Sequence, residues 1–170
     1  GSACNSCKKS LRRKQSVDYI RGNRMQGNFY GWYLKCQSKE DTIAFIAARH
    51  QNGTKETSSL QIITDDDAYN VDLPGNAYKK DCANIFLGKN RFGKNGIRVN
   101  IDNPSLRVKG KLDFGAITPI KYDIMGPFCL LPFMECRHSV KSMKHAVYGK
   151  ICINGQKYNL IFLNLIDEWL

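Results

Sequence analysis

The chain has 170 residues, 42% of them hydrophobic, and a formal net charge of +11 at pH 7. Its length suits one domain with one hydrophobic core. The longest apolar stretch, residues 124–134, contains a glycine and two prolines and is shorter than the roughly 20 residues of a membrane-spanning helix, so we expect a soluble protein without a transmembrane segment.

The positive charge is concentrated at the beginning of the chain. Residues 1–24 contain seven lysines and arginines against Asp18 alone, which is more than half of the net excess. Such a segment attracts phosphate without sequence preference, but a solvated extension is the preferred interpretation, and nucleic acid is not an expected partner. We predict a basic arm or short helix, whose Gly1 and Ser2 are typical of a cloning remnant.

From residue 28 onward the pattern is that of short β-strands. Segments rich in β-branched and aromatic residues are separated by turn-forming residues at roughly 8- to 12-residue intervals. Asn-Gly pairs at 95–96 and 154–155 favour tight antiparallel hairpins, because both residue types accept positive φ. The predicted strands are 28–35, 42–49, 59–64, 68–73, 96–101, 106–114 and 145–153.

Many strands with few helices require a sheet that closes or stacks, because open sheet edges invite aggregation. The sequence therefore predicts an all-β fold, either an antiparallel β-barrel or a strongly curved sandwich. Residues 160–170 fit either a strand extension or an amphipathic turn. We predict two regions, the N-terminal arm at 1–24 and a single β domain at 25–170.

The cysteines and histidines do not form a predicted metal site. Seven cysteines, an odd number, lie mostly within apolar strands and no signal-peptide pattern is visible, which favours a reducing, cytoplasmic setting. Cys4 and Cys7 have the spacing of half a zinc site, but no second pair lies at the usual distance. For Cys136, His138 and His145 to bind one metal ion, the chain would need a turn between the two histidines, because their odd separation puts them on opposite faces of a straight strand. Phosphate-binding glycine fingerprints are absent as well, so we predict no metal and no cofactor.

The segment 128–149, FCLLPFMECRHSVKSMKHAVYG, places polar groups among large apolar side chains. If it is a strand, Glu135, Arg137 and Ser139 share one face, because alternate residues point to the same side. Burial beside aromatic rings would keep Glu135 protonated near neutral pH, whereas contact with Arg137 would keep it ionised. The sequence leaves both protonation states of Glu135 open.

Residues 29–33, FYGWY, place four aromatic side chains around Gly31. This density is typical of a cavity wall, or of a strand where another backbone comes close to the glycine. Ordinary core packing is the preferred interpretation. Aromatic surface with a few polar groups is also how apolar small-molecule pockets are lined.

Three segments in order, NFYGWYLK (28–35), SLQIIT (59–64) and GPFCLLPFMECRHSVKSMKHAVYGKICINGQKY (126–158), resemble the tocopherol cyclase-like family, which is related to carotenoid hydratases of the hydroxyneurosporene synthase type. The resemblance implies a lipocalin-like β-barrel in two consecutive halves. It also implies an activity on isoprenoids, in which an acid protonates a carbon–carbon double bond and an oxygen nucleophile captures the cation. The chain corresponds to the first half only, because residues 159–170 replace the glycine-rich, acidic segment that follows in the family.

The resemblance implies a lipocalin-like domain that binds an apolar, isoprenoid-like small molecule and is truncated relative to the enzymes. The alternative is an acid-catalysed cyclase or hydratase with Glu135 as general acid, beside the retained motif residues Arg137 and His145. Exposed strand edges of an incomplete unit favour a homodimer. The expected ligand-binding residues are Phe29, Trp32, Tyr33, Phe128, Phe133, Met134 and Ser139.

Overall fold

The computed structural model describes residues 28–121, 125–126 and 138–169, with the backbone alone of 138 and 161–169. The predicted basic arm at 1–24 therefore lies outside the described residues. Among the described residues, no helix is long and apolar enough to cross a bilayer. The elements are β1 (Asn28–Gln37), β2 (Thr42–Asn52), β3 (Lys55–Thr64), β4 (Ala68–Pro74), a 3-10 turn (Gly75–Ala77), β5 (Tyr78–Lys80), β6 (Asn84–Leu87), β7 (Asn90–Gly93), β8 (Gly96–Asp102), β9 (Arg107–Phe114), β10 (His138–Ser142), β11 (Ala146–Ile153) and β12 (Gln156–Trp169).

The described strands form two antiparallel sheets that share β12. Residues 164–169 of β12 pair with β1, and residues 156–163 pair with β11. The first sheet contains β4, β3, β2, β1, the end of β12 and β10, and the second contains the start of β12, β11, β9, β8, β7, β6 and β5. β12 thus passes from one layer to the other.

The all-β antiparallel prediction is confirmed, as a curved sandwich rather than a closed barrel. The hydrogen-bonded path ends at β4 and β5, and among the described strands no pairing joins these two. Each of the seven predicted strands corresponds to an observed one, and residues 160–169 continue β12 as a strand. The short strands β5, β6 and β7 were not predicted, because three or four residues are too few to show the alternation of apolar and polar residues that indicates a strand.

The predicted hairpin at 154–155 is present. Asn154 has a φ of 49° and Gly155 a φ of 92°, the left-handed region that a tight two-residue hairpin needs. The Asn154 side chain also accepts a hydrogen bond from the Arg107 backbone N–H at 2.9 Å, which ties this turn to β9.

The core lies between the sheets because apolar and polar residues alternate along each strand. In β8, for example, Ile97, Val99 and Ile101 are buried, whereas Arg98 and the other intervening residues are exposed. One apolar face and one outer face are the usual pattern for stacked antiparallel sheets. Across the interface the rings of Phe45 (β2) and Phe92 (β7) lie 6.1 Å apart.

Replacing Phe45 with alanine is expected to lower the free energy of unfolding by about 3–5 kcal/mol, the usual cost of deleting a buried phenyl ring. Phe45 is fully buried. Ile63→Ala is the control, because Ile63 lies on the outer face of β3 with 37% exposure, and it should cost less than about 1 kcal/mol. Urea unfolding of both variants measures the difference, and equal costs would contradict the assignment of Phe45 to the core.

Candidate functional site

A groove crosses the outer face of the first sheet. Gly31 of β1 pairs with Ala48 of β2, which pairs with Ser59 of β3, so three small residues form one row across the strands. Rows of mostly larger residues flank this row on both sides. They are Phe29, His50 and Thr57 on one side and Tyr33, Ile46 and Gln61 on the other.

Gly31 gives the groove its depth. A Cβ atom at this position would lie 3.2 Å from Cζ of Phe29 and 3.2 Å from Cβ of Ala48, so the Phe29 ring leans over the space that a side chain would occupy. The close approach expected from the FYGWY segment is therefore made by Phe29 and the neighbouring strand. The groove has a volume of about 150 Å³.

One end of the groove carries polar groups. His50 Nε2 and Ser59 Oγ are 3.0 Å apart and share a hydrogen bond whose direction depends on the histidine tautomer. The His50 ring also contacts the Phe29 ring, with centroids 5.2 Å apart. Gln61 borders the same space. An apolar floor with a few convergent polar groups is typical of small-molecule sites.

The three aromatic residues predicted in β1 are divided between its two faces. Phe29, with 39% exposure, and half-buried Tyr33 lie on the outer face. Trp32 borders the groove, but its side chain is 5% exposed within the core and its Nε1–H donates to Tyr30 Oη at 3.1 Å. Alternation along a strand causes this division, and the ligand-binding role of all three stays a prediction.

The other groove residues were not predicted from the sequence. The sequence TIAFIAARH (42–50) did contain an indication of them, because apolar residues occupy both its odd and its even positions. A strand that is apolar on both faces indicates that the outer face is also covered or binds something. This signal would have selected Ile46, Ala48 and His50, but not Ser59 or Gln61.

Five predicted site residues, Phe128, Phe133, Met134, Glu135 and Arg137, lie outside the described residues. Cys136 lies there as well. The predicted acid and its guanidinium neighbour therefore stay predictions. In the described ranges, no three His, Cys, Asp or Glu residues are grouped so that they could hold a metal ion.

Ser139 and His145 are described and have different partners. Ser139, in β10, accepts a hydrogen bond from Lys141 Nζ at 3.2 Å. His145 is 3% exposed, its Nδ1 lies 3.1 Å from Ser142 Oγ, and its ring packs against Phe114 with centroids 4.9 Å apart. Thr118 N–H donates to the same Ser142 hydroxyl at 3.1 Å.

His145 Nε2 is buried and has no hydrogen-bond partner among the residues that the structure describes. Burial lowers the pKa of His145, because a charged imidazolium is disfavoured away from water, so the ring is neutral at pH 7. Depending on the tautomer, Nε2 offers one unpaired proton or one unpaired lone pair. His145 thus has one unused hydrogen-bonding position, and its catalytic role stays a prediction.

Comparisons with known proteins establish a likeness of fold. The chain matches no protein-family model and no curated protein. Among solved structures it is similar to a protein of Nitrosomonas europaea assigned as AttH, with a TM-score of 0.53 and 11% sequence identity. The match covers 99% of this chain and 56% of the other, so this chain spans little more than half of that protein.

Stability is expected to fall as the pH is lowered from about 7.5 to about 5.5, and His145 should contribute to that fall. Its pKa in the folded state is below the ordinary histidine value of 6.5, so the unfolded chain takes up a proton at a higher pH than the folded chain does. Stability is therefore lost as the pH falls through the pKa that the histidine has in the unfolded chain. Urea unfolding at several pH values should show a smaller loss for His145→Gln. An identical pH profile for His145→Gln and wild type would refute this role.

Proposed function

We propose that the chain binds an apolar, isoprenoid-like small molecule in the groove of the first sheet. The observation that carries this proposal is the row of small residues, Gly31, Ala48 and Ser59, between rows that contain Phe29 and Tyr33. An apolar ligand in this groove would remove both its own surface and that of the flanking rings from water. Burial of this apolar surface stabilises the complex by roughly 25 cal/mol per Å².

The size of the groove limits its occupant. Its volume of about 150 Å³ is comparable to a cavity that accepts one benzene-sized molecule and smaller than the roughly 300–1,000 Å³ of sites that enclose a drug-sized ligand. The occupant is therefore one ring or one branched end of a longer apolar molecule, and the remainder lies outside the groove.

The polar end of the groove suits an oxygen on that occupant. His50, Ser59 and Gln61 border the space and together offer both donors and acceptors. A ring hydroxyl or carbonyl would bind there, while the ring face lies over Gly31. A quinol ring with an apolar side chain has this chemistry.

Membership of the tocopherol cyclase-like family is part of the proposal. Its support is the resemblance of three segments, one of which, NFYGWYLK, forms most of β1 and contains Phe29, Gly31 and Tyr33. The enzymatic alternative requires Glu135 as an acid, and Glu135 lies outside the described residues. We prefer binding because the groove that supports it lies among the described residues. A cytoplasmic setting belongs to the same proposal and is supported by the odd number of cysteines, seven, and by the free thiol of Cys152.

Phe29→Ala is expected to weaken binding of the uncharged dye N-phenyl-1-naphthylamine by about tenfold, because a phenyl ring facing a ligand contributes roughly 1–2 kcal/mol of apolar contact. Ile63→Ala is the matched control, since Ile63 lies on the same outer face with similar exposure, 37% against 39% for Phe29, but outside the groove. Fluorescence titration, with competition by geranylgeraniol, measures both variants. Equal affinities would show that the dye does not bind in the groove.

The homodimer is also a proposal, supported by the strand edges at which the described sheet path ends, β4 and β5. An unpaired edge offers backbone hydrogen-bond donors and acceptors to a second chain. An isologous contact uses the same surface on both chains, so the assembly is complete with two copies. We expect light scattering at tens of micromolar to give twice the mass of the chain, which is 19.3 kDa. A monomer under these conditions would exclude the dimer.

A further inference from the structure

The outer face of the second sheet carries a row of cations. Arg91 of β7 pairs with Arg98 of β8, Arg98 with Lys111 of β9, and Lys111 with Lys150 of β11. Arg98, Lys111 and Lys150 are exposed and Arg91 is half-buried. Adjacent strands are about 4.8 Å apart, so the row is about 14 Å long.

This arrangement is unfavourable in the isolated molecule. Like charges directly opposite each other on neighbouring strands destabilise a sheet, and here three successive pairs are alike. Elsewhere on the same face, Asp102 of β8 is opposite Arg107 of β9, and the two side chains form an ion pair at 3.5 Å. A bound anion would relieve the repulsion along the row.

Nearby carboxylates neutralise the row only in part. Asp113 lies 2.5 Å from Lys111 Nζ. Burial would raise the pKa of Asp81, but hydrogen bonds from Ala83 and Asn84 and the charge of Arg91 lower it. In the part of the chain that the structure describes, Arg98 and Lys150 form no ion pair, nor does Lys109 in the neighbouring row.

Aromatic rings lie beside these cations. Tyr148, two residues before Lys150 on the same face, is 57% exposed. Half-buried Phe86 of β6 is directly opposite Arg91 and continues the row. Cations that contact a phosphate backbone and aromatic side chains on which bases stack are the two components of single-strand binding surfaces.

We propose that this outer face of the second sheet binds single-stranded nucleic acid. Arg98 and Lys150, on either side of the Lys111–Asp113 ion pair, contact phosphates, and Tyr148 stacks on an unpaired base. A lipid surface is less well matched. Of the large exposed apolar side chains in the described residues, Phe29 and Ile63 lie on the outer face of the other sheet, Met143 lies in the connection between β10 and β11, and Tyr148 alone lies on this face. The site is independent of the groove proposed for the apolar ligand.

The affinity of the full chain for a fluorescently labelled oligonucleotide of about 12 bases tests the proposal. Fluorescence anisotropy should show binding that weakens steeply as NaCl is raised, because cations on the protein displace counterions from phosphates. Arg98→Gln/Lys150→Gln should flatten the slope of log affinity against log salt by about 1.4, roughly 0.7 for each phosphate that is no longer neutralised.

The matched control is Lys39→Gln/Lys55→Gln, which also removes two exposed charges, but from the first sheet, at the β1–β2 connection and at the first residue of β3. It should leave the slope unchanged, and residues 1–24 are present in every variant, so any contribution from them cancels. Tyr148→Leu should weaken binding by between about fivefold and about 150-fold without changing the slope, since stacking contributes about 1–3 kcal/mol per base.

Three results would overturn the proposal. The first is equal slopes for the two double variants, and the second is unchanged affinity in Tyr148→Leu. The third is that the protein sediments with vesicles that contain about 30% phosphatidylserine but does not bind the oligonucleotide. That result would indicate an acidic membrane as the partner. All variants should bind the uncharged dye as wild type does, so a failure of this proposal is distinguishable from a failure of the groove proposal.

Discussion

The double pairing of β12 is the constraint on which the rest of the structure depends. Residues 156–163 of this strand form hydrogen bonds with β11 in the second sheet, and residues 164–169 continue into the first sheet beside β1. β1 contributes the floor and part of the wall of the groove, and β11 contributes the last cation of the row on the opposite layer. One strand therefore fixes the position of both surfaces, and neither layer can lose β12 without disturbing the other.

Alternation along the strands then gives the molecule two outer faces with different chemistry. Both inner faces are apolar and are used by the common core. The outer face of β1, β2 and β3 is largely uncharged, with polar groups at one end of the groove. The outer face of β7, β8, β9 and β11 is rich in lysine and arginine. The same period of two residues thus produces a largely uncharged outer surface on one layer and a basic outer surface on the other.

The strands were predictable from the sequence, whereas both surfaces depend on register. Alternation and Asn-Gly turns identified β8, β9 and β11, because each contains enough residues to establish a period. Close approach at Gly31 was one of the interpretations that the sequence offered, but its neighbour Ala48 is known only from the pairing of β1 with β2. Likewise Arg98 and Lys150 are far apart along the chain and become neighbours of Lys111 only through two strand pairings.

The uneven distribution of charge between the two outer faces gives the molecule an orientation. On a negatively charged solid such as silica or a cation-exchange bead, the second sheet would lie against the support, because its lysines and arginines are attracted to it. The largely uncharged outer face of the first sheet would then point into the liquid. Adsorbed chains would form a layer with their grooves open to the solution, without any chemical coupling.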